Sequence, residues 1–211
     1  MITLRRIREK VDAYTGSCQS GYKMGRSCSD IVFSQRMLLA VVMRKEFEYF
    51  KLDIDMSSAF DTINRQMVLN VLADAGCTDD ELRLVRMLIS NTKIKVNVNG
   101  TISLEFESIL GAFQGDCLSG DLFTIILAAA LHQLRAILSQ ASQSPYVVNH
   151  PIPNPPVSES FMPLETEYAD DTSFSNSRRE PLEDLYPVCK AVFGEWNLSV
   201  NDSKTERSFP V

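Results

Sequence analysis

The chain has 211 residues, 45% of them hydrophobic and 23% charged, with a net charge of −6 and an isoelectric point near 5.0. That is enough apolar material for one sizeable core or two joined lobes, and too much for a disordered chain. The acidity argues against a free-standing nucleic-acid binder, which is usually basic.

No stretch approaches the roughly 20 apolar residues that cross a bilayer. The longest apolar run, Leu122 to Leu131, reads as a buried helix, so no membrane partner is expected. Met1 to Lys10 carries Arg5, Arg6 and Arg8 without an apolar segment behind them, which excludes a secretory signal. The cysteines (Cys18, Cys28, Cys77, Cys117, Cys189) include no Cys-x-x-Cys pair, which argues against zinc and for reduced thiols. An intracellular location, nuclear or cytoplasmic, is the expectation.

The elements follow in chain order, with no internal repeat. Ile2, Leu4, Ile7 and Val11 space an amphipathic helix, and a polar loop from Thr15 to Ser29 leads to a long helix over Asp30 to about Glu48. Tyr49 to Asp55 alternates as a strand buried on one face. Asn64 to Ala75 is a helix ended by Gly76, and Thr78 to Glu81 is a capping box for the next one. Lys93 to Val98 and Ile102 to Phe106 flank Asn99-Gly100, a strong hairpin signal. A glycine-rich segment, Gly111 to Gly120, precedes a helix over Asp121 to Ser139. After a Pro- and Ser-rich loop, Gln140 to Pro163, two short strands (Glu165 to Ala169 and Thr172 to Ser175) enclose a two-Asp turn. A final helical stripe spans Leu182 to Trp196, with Pro187 expected to kink or restart it. This order predicts an α+β fold, an antiparallel sheet with helices packed on one face.

Chemistry concentrates at three acids. Asp55 ends the first strand, and Asp170 and Asp171 occupy the turn of the later hairpin. Adjacent carboxylates between apolar strands repel unless something neutralises them, and hard carboxylate oxygens suit Mg²⁺ or Mn²⁺. Taken alone, Asp-Asp is equally ordinary turn chemistry.

Three segments change that balance when they are read together. Asp55 to Ile63 has the form D-x-x-x-A-F-D-x-I, Gly111 to Ser119 reads G-A-F-Q-G-D-C-L-S, and Tyr168 to Asp171 reads Y-A-D-D. In this order they resemble the palm motifs of reverse transcriptases, most closely those of non-LTR retrotransposons. Gln19 to Ser27 is similar to the family's Q-x-G-F-R-x-G-R-S stretch, and Asn197 to Glu206 to its L-x-V-N-x-x-K-T-E motif.

The resemblance implies a polymerase palm over residues 49–211 and a partial fingers segment over 1–48. Upstream fingers motifs and a thumb are absent, as in a piece of a longer multidomain polyprotein. It implies two Mg²⁺ (or Mn²⁺) ions held by Asp55, Asp170 and Asp171, with Asp171 the looser ligand. Phe60 beside Ala59 would exclude a 2′-hydroxyl, and Gln114 and Gly115 would approach the incoming dNTP and the template base. Lys204 would lie near the β- and γ-phosphates. Lys23, Arg26 and Tyr168 would contact the RNA template and DNA primer. Each has a plainer reading: Phe60 as core, Asp61 as a helix cap, and Lys204, Lys23 and Arg26 as surface charge. Asp53 shares Asp55's strand face and is expected at the sheet edge or facing solvent. Gly120-Asp121 stands where the family usually has proline, and Asp116 puts a charge beside the nucleotide site.

The expected activity is RNA-directed DNA synthesis from dNTPs. The alternative is a catalytically inactive, truncated palm. An RNA-dependent RNA polymerase fits less well, given Phe60 and Tyr-Ala-Asp-Asp.

Overall fold

The structure, a computed structural model, describes residues 2–113, 115–140 and 164–208. In chain order it contains α1 (Ile2–Thr15), α2 (Cys28–Lys45), β1 (Phe50–Ile54), β2 (Met56–Ser57), α3 (Arg65–Asp74) and α4 (Asp79–Ile89). Next come β3 (Thr92–Ile94), β4 (Asn97–Val98), β5 (Thr101–Ile102), β6 (Phe106–Ser108) and α5 (Ser119–Gln140). The chain closes with β7 (Leu164–Tyr168), β8 (Asp171–Asn176), α6 (Glu180–Glu195), β9 (Ser199–Val200) and β10 (Glu206–Ser208).

Local chemistry sets several boundaries. The Asp30 carboxylate accepts from the Ser27 backbone N–H at 2.7 Å, so α2 starts two residues before the expected position. Asn64 Oδ1 accepts from Gln66 N (2.9 Å) and Met67 N (3.2 Å) and starts α3. The capping box Thr78/Glu81 starts α4 as expected. Pro187 does not break α6, because Leu182, Leu185, Cys189, Val192 and Phe193 are all buried along one face. That burial outweighs one missing backbone hydrogen bond.

The expected hairpin around Asn99-Gly100 is present but divided into two ladders, β4–β5 and β3–β6. Between them Ser103 intervenes: its N–H donates to Val96 O (2.8 Å) and its hydroxyl accepts from Val96 N (2.9 Å). Most side chains here are exposed, so no buried face enforces one continuous register.

The main sheet has the order β10-β1-β8-β7, antiparallel throughout. Leu52, Ile54 and Phe174 point to its back, where α6 covers them and α5 shares the same core. Every residue from Leu122 to Leu131 is buried, and a helix that is apolar all round belongs in a core. By length and composition α5 could also span a bilayer, contrary to the reading of the sequence. Burial in the core accounts for that apolarity. Ile7 and Val11 of α1 join the same core.

The expected sheet with helices behind it is therefore present. In addition, α2 leans on the front beside β7, where Gln35 Nε2 donates to Thr166 Oγ1 at 3.4 Å. β10 was not expected, since Glu206, Arg207 and Ser208 are all exposed and carry no apolar alternation.

Candidate active site

Strand alternation places Lys51 and Asp53 on the open front face, with Leu52 and Ile54 behind. β1 pairs with β8 through Ile54↔Thr172, so one further step sets Asp55 opposite Asp171. β7 and β8 join at Tyr168↔Asp171, leaving Ala169 and Asp170 as the turn, with Ala169 at φ 55°. Two elements far apart in sequence thus bring Asp55 and Asp171 opposite each other, with Asp170 next to them in the turn. Burial pushes the Asp171 carboxyl above its usual range, and the nearby charges of Asp170, Asp55 and Asp53 push it further.

The pair β2–β9 brings a lysine to the same place. Asn201 N donates to Asp55 O (2.9 Å), and Lys204 N and Thr205 N donate to Asn201 O (3.1 and 2.9 Å). This turn holds Lys204 Nζ 4.0 Å from Asp55 Oδ2, beyond hydrogen-bond distance. Asp55 Oδ2 is buried with no hydrogen-bond partner. An orphaned carboxylate oxygen beside a second, mutually repelling acid lacks positive charge, and a hard divalent cation fits that donor set. Among the described residues no group of three or more acidic, histidine or cysteine side chains is placed to hold a metal ion. A cation here would take one or two carboxylates and complete its shell with water and phosphate oxygens, as Mg²⁺ typically does.

A cavity of about 380 Å³ lies between α2 and this front face, and Asp53, Asp55, Tyr168, Asp171 and Lys204 line it. Asp170 and Phe60 do not. Asp53, expected at the sheet edge or facing solvent, is not at the edge, because β10 pairs outside β1, but its side chain lies partly exposed on the open front face. It bonds Lys51 Nζ (2.8 Å) and the Ser173 hydroxyl.

Phe60 is half-buried, stacked on Phe123 with ring centroids 5.0 Å apart, and Tyr22 meets it edge-on at 6.2 Å. Ala59 beside it is buried. Ala112 N donates to Phe60 O (2.8 Å) and Gly111 N to Ile63 O (2.9 Å), joining the glycine-rich segment to the Asp55–Ile63 segment. Gly111 has φ 79°, and a Cβ there would lie 2.9 Å from Asp61 O, so the approach needs glycine. Gly115 is exposed, while Gln114 lies outside the described residues. Asp61 is exposed and does not cap α3, a role taken by Asn64. Asp116 accepts from Leu118 N at 3.2 Å ahead of α5, an Asx turn.

The Lys23 ammonium is committed to the end of α1, donating to Asp12 O (2.9 Å) and to Gly16 O. Arg26 is exposed. Gly120 accommodates the Tyr22 ring, which a Cβ at that position would strike. Asp121, buried, pairs with Arg8 at 3.3 Å.

Two residues in the site's surroundings went unnoticed in the sequence. Arg65 donates to Gly111 O (2.9 Å), Ser108 O (2.6 Å) and Leu110 O (3.1 Å), clamping the glycine-rich segment. Only tertiary structure shows that. Gln19 is fully buried and hydrogen-bonded to Ala169 in the acidic turn; its place at the head of the Q-x-G motif was the available signal.

The family model for reverse transcriptase (RNA-dependent DNA polymerase) matches residues 1–209. A Retrovirus-related Pol polyprotein from type-1 retrotransposable element R2 of Bradysia coprophila is 31% identical over 104 residues, 46% of this chain and 12% of that protein. The chain therefore spans a small fraction of this curated relative. Apo telomerase from Candida tropicalis superimposes with a TM-score of 0.73 at 14% identity, covering 99% of this chain and 36% of that one. Telomerase from Candida albicans in complex with a TWJ fragment of telomeric RNA gives 0.67 at 14% identity, covering 98% and 34%. At such identity the likeness is one of fold. The match along almost the whole sequence decides the family: the chain belongs to the reverse transcriptases.

Proposed function

We propose that this chain is the palm of an RNA-directed DNA polymerase from a non-LTR retroelement, with residues 1–48 forming part of the fingers. The observation that carries this reading is the register-set meeting of Asp55 and Asp171, with a buried, unpartnered carboxylate oxygen between neighbouring acids. The relative among retrotransposable-element Pol polyproteins supports a retroelement source.

Asp55, Asp170 and Asp171 would hold two Mg²⁺ or Mn²⁺ ions. When bound, these ions acidify the primer 3′-hydroxyl and offset charge on the departing pyrophosphate. The chain's own groups do the rest. Phe60, braced by Phe123, collides with a 2′-hydroxyl on the incoming sugar and so selects dNTPs. Gln114 and Gly115 would let the chain approach the incoming nucleotide and the template base, and Ala59 would leave room for the nucleotide. Lys204, on its turn beside Asp55, meets the β- and γ-phosphates and supplies a proton to the pyrophosphate. Tyr168 touches the DNA primer. Contact with the RNA template backbone falls to Arg26, since the Lys23 ammonium is taken up by α1 carbonyls.

Primer extension on an RNA template, with Mg²⁺ and with Mn²⁺, tests this in a chain carrying its native flanking sequence. Asp170→Asn is expected to lower incorporation by about 10²–10³-fold, the usual effect of removing one transition-state charge contact. Undiminished extension by that variant would overturn the assignment of Asp170, whereas no extension by the unaltered longer chain would favour an inactive palm. Phe60→Val is expected to raise rNTP use relative to dNTP use. An unchanged ratio of kcat/KM values returns Phe60 to the core.

A further inference from the structure

The turn that carries Asp170 and Asp171 does not hold itself. Ala169, a non-glycine residue at φ 55°, sits in the left-handed region, which costs free energy unless its surroundings impose it. The imposing group is Gln19. Its Oε1 accepts from Ala169 N (3.0 Å) and Gly21 N (2.7 Å), and its Nε2 donates to Ala169 O (3.2 Å) and Glu167 Oε2 (3.5 Å). All four hydrogen-bonding positions of the amide are used. The side chain is 0% exposed.

The backbone around Gln19 reinforces the clamp. Ser20 N donates to Glu167 O (2.9 Å) and Glu167 N to Cys18 O (3.0 Å), a short parallel bridge on the free edge of β7. Gly21 lies so close that a Cβ would collide with the Ala169 backbone nitrogen. From behind, Arg135 Nη2 on α5 bonds Glu167 Oε1 at 3.2 Å and fixes the carboxylate that receives the Gln19 amide.

We propose that Gln19 is the positioning residue of the catalytic turn: its amide holds Ala169 left-handed and so aims Asp170 and Asp171 at Asp55. The chemistry of the position requires glutamine. A glutamate would lose both N–H donors and add charge beside Glu167, an asparagine is too short to reach both Ala169 and Glu167, and a methionine fills the space but bonds nothing. The proposal rests on the metal-binding reading of the three aspartates, so its test separates the two.

Two measurements on the 211-residue chain do so: amide hydrogen exchange at Ala169, and Mn²⁺ binding followed by the electron spin resonance of free Mn²⁺. Gln19→Met is expected to abolish protection of the Ala169 amide while cooperative melting is kept. It is also expected to weaken Mn²⁺ binding by about 10–100-fold, the range seen when groups that orient metal ligands are removed. Asp55→Asn is expected to weaken Mn²⁺ binding at least as much and to leave Ala169 protected. Unchanged exchange at Ala169 in Gln19→Met, or lost protection with unchanged Mn²⁺ affinity, overturns the positioning role. No Mn²⁺ binding by the unaltered chain, or binding indifferent to Asp55→Asn, overturns the metal reading instead. Should Gln19→Met not fold, Gln19→Asn, which keeps the amide but is too short to reach both Ala169 and Glu167, is read in the same two ways.

Discussion

Behind the β7–β8 hairpin, Glu165 and Glu167 are buried side by side, and Arg135 closes on both: Nε and Nη2 bond Glu165 at 3.1 and 2.8 Å, and Nη2 reaches Glu167 at 3.2 Å. In front of the same strands, Asp53, Asp55 and Asp171 gather without such a partner. Lys51 serves Asp53, Lys204 stops 4.0 Å short of Asp55, and one Asp55 oxygen has no hydrogen bond. Both clusters carry the same chemical type at similar density. One contains its cation covalently, in the form of a guanidinium whose fork matches carboxylate geometry. The other depends on a cation from solution. A carboxylate cluster completed by its own arginine serves architecture; one left open serves an exchangeable ion and the phosphates that come with it.

The largest expected effect of breaking this contrast is at Arg135. Arg135→Met leaves the buried Glu165–Glu167 pair without its cation and is expected to destabilise the fold by about 3–5 kcal/mol, read from urea denaturation. Adding Glu165→Gln and Glu167→Gln should recover much of that loss, because the stranded charge is then gone. Asp55→Asn is expected to do the reverse. Without added metal it should leave stability equal or slightly raised, since it relieves repulsion on Asp171. A large loss of stability in Asp55→Asn without metal would mean the front cluster is built like the back one.

A smaller effect concerns pH. Burial, and then the charge of Glu165, pushes the Glu167 carboxyl up to about 8, with Arg135 opposing the shift. The folded state therefore holds a proton that the unfolded chain has released across the interval from the ordinary carboxylate range to about pH 8. That contribution to stability is complete below the ordinary glutamate value and disappears as the pH climbs through about 8. Melting temperature should fall between pH 5 and pH 9, and Glu167→Gln should flatten the slope. The front cluster follows the same sign through Asp171. Mg²⁺ should reverse that front contribution and leave the back one untouched.

The sequence by itself determined every long helix, the Asp55 strand, the Asp-Asp hairpin and the family. Those features rest on local periodicity, on caps such as Thr78 with Glu81, and on motifs whose residues lie within ten positions of one another. Only tertiary structure decided the rest. β10 has no apolar alternation because it is an exposed edge strand, so its pairing with β1 follows from backbone hydrogen bonds that no side-chain pattern records. That pairing, in turn, keeps Asp53 off the sheet edge while its side chain stays on the open front face. Gly120, which stands where the family usually has proline, is accounted for by the Tyr22 ring, which fills the space where a Cβ would go. Arg65 looks like an ordinary polar residue in the chain, and the motif that Gln19 heads does not say what the side chain touches. Their importance comes from carbonyls and amides brought to them over separations of 43 and 150 residues. Hydrogen bonds to the backbone ask nothing of the partner's identity, and so the partner's side of the contact leaves no trace in the sequence.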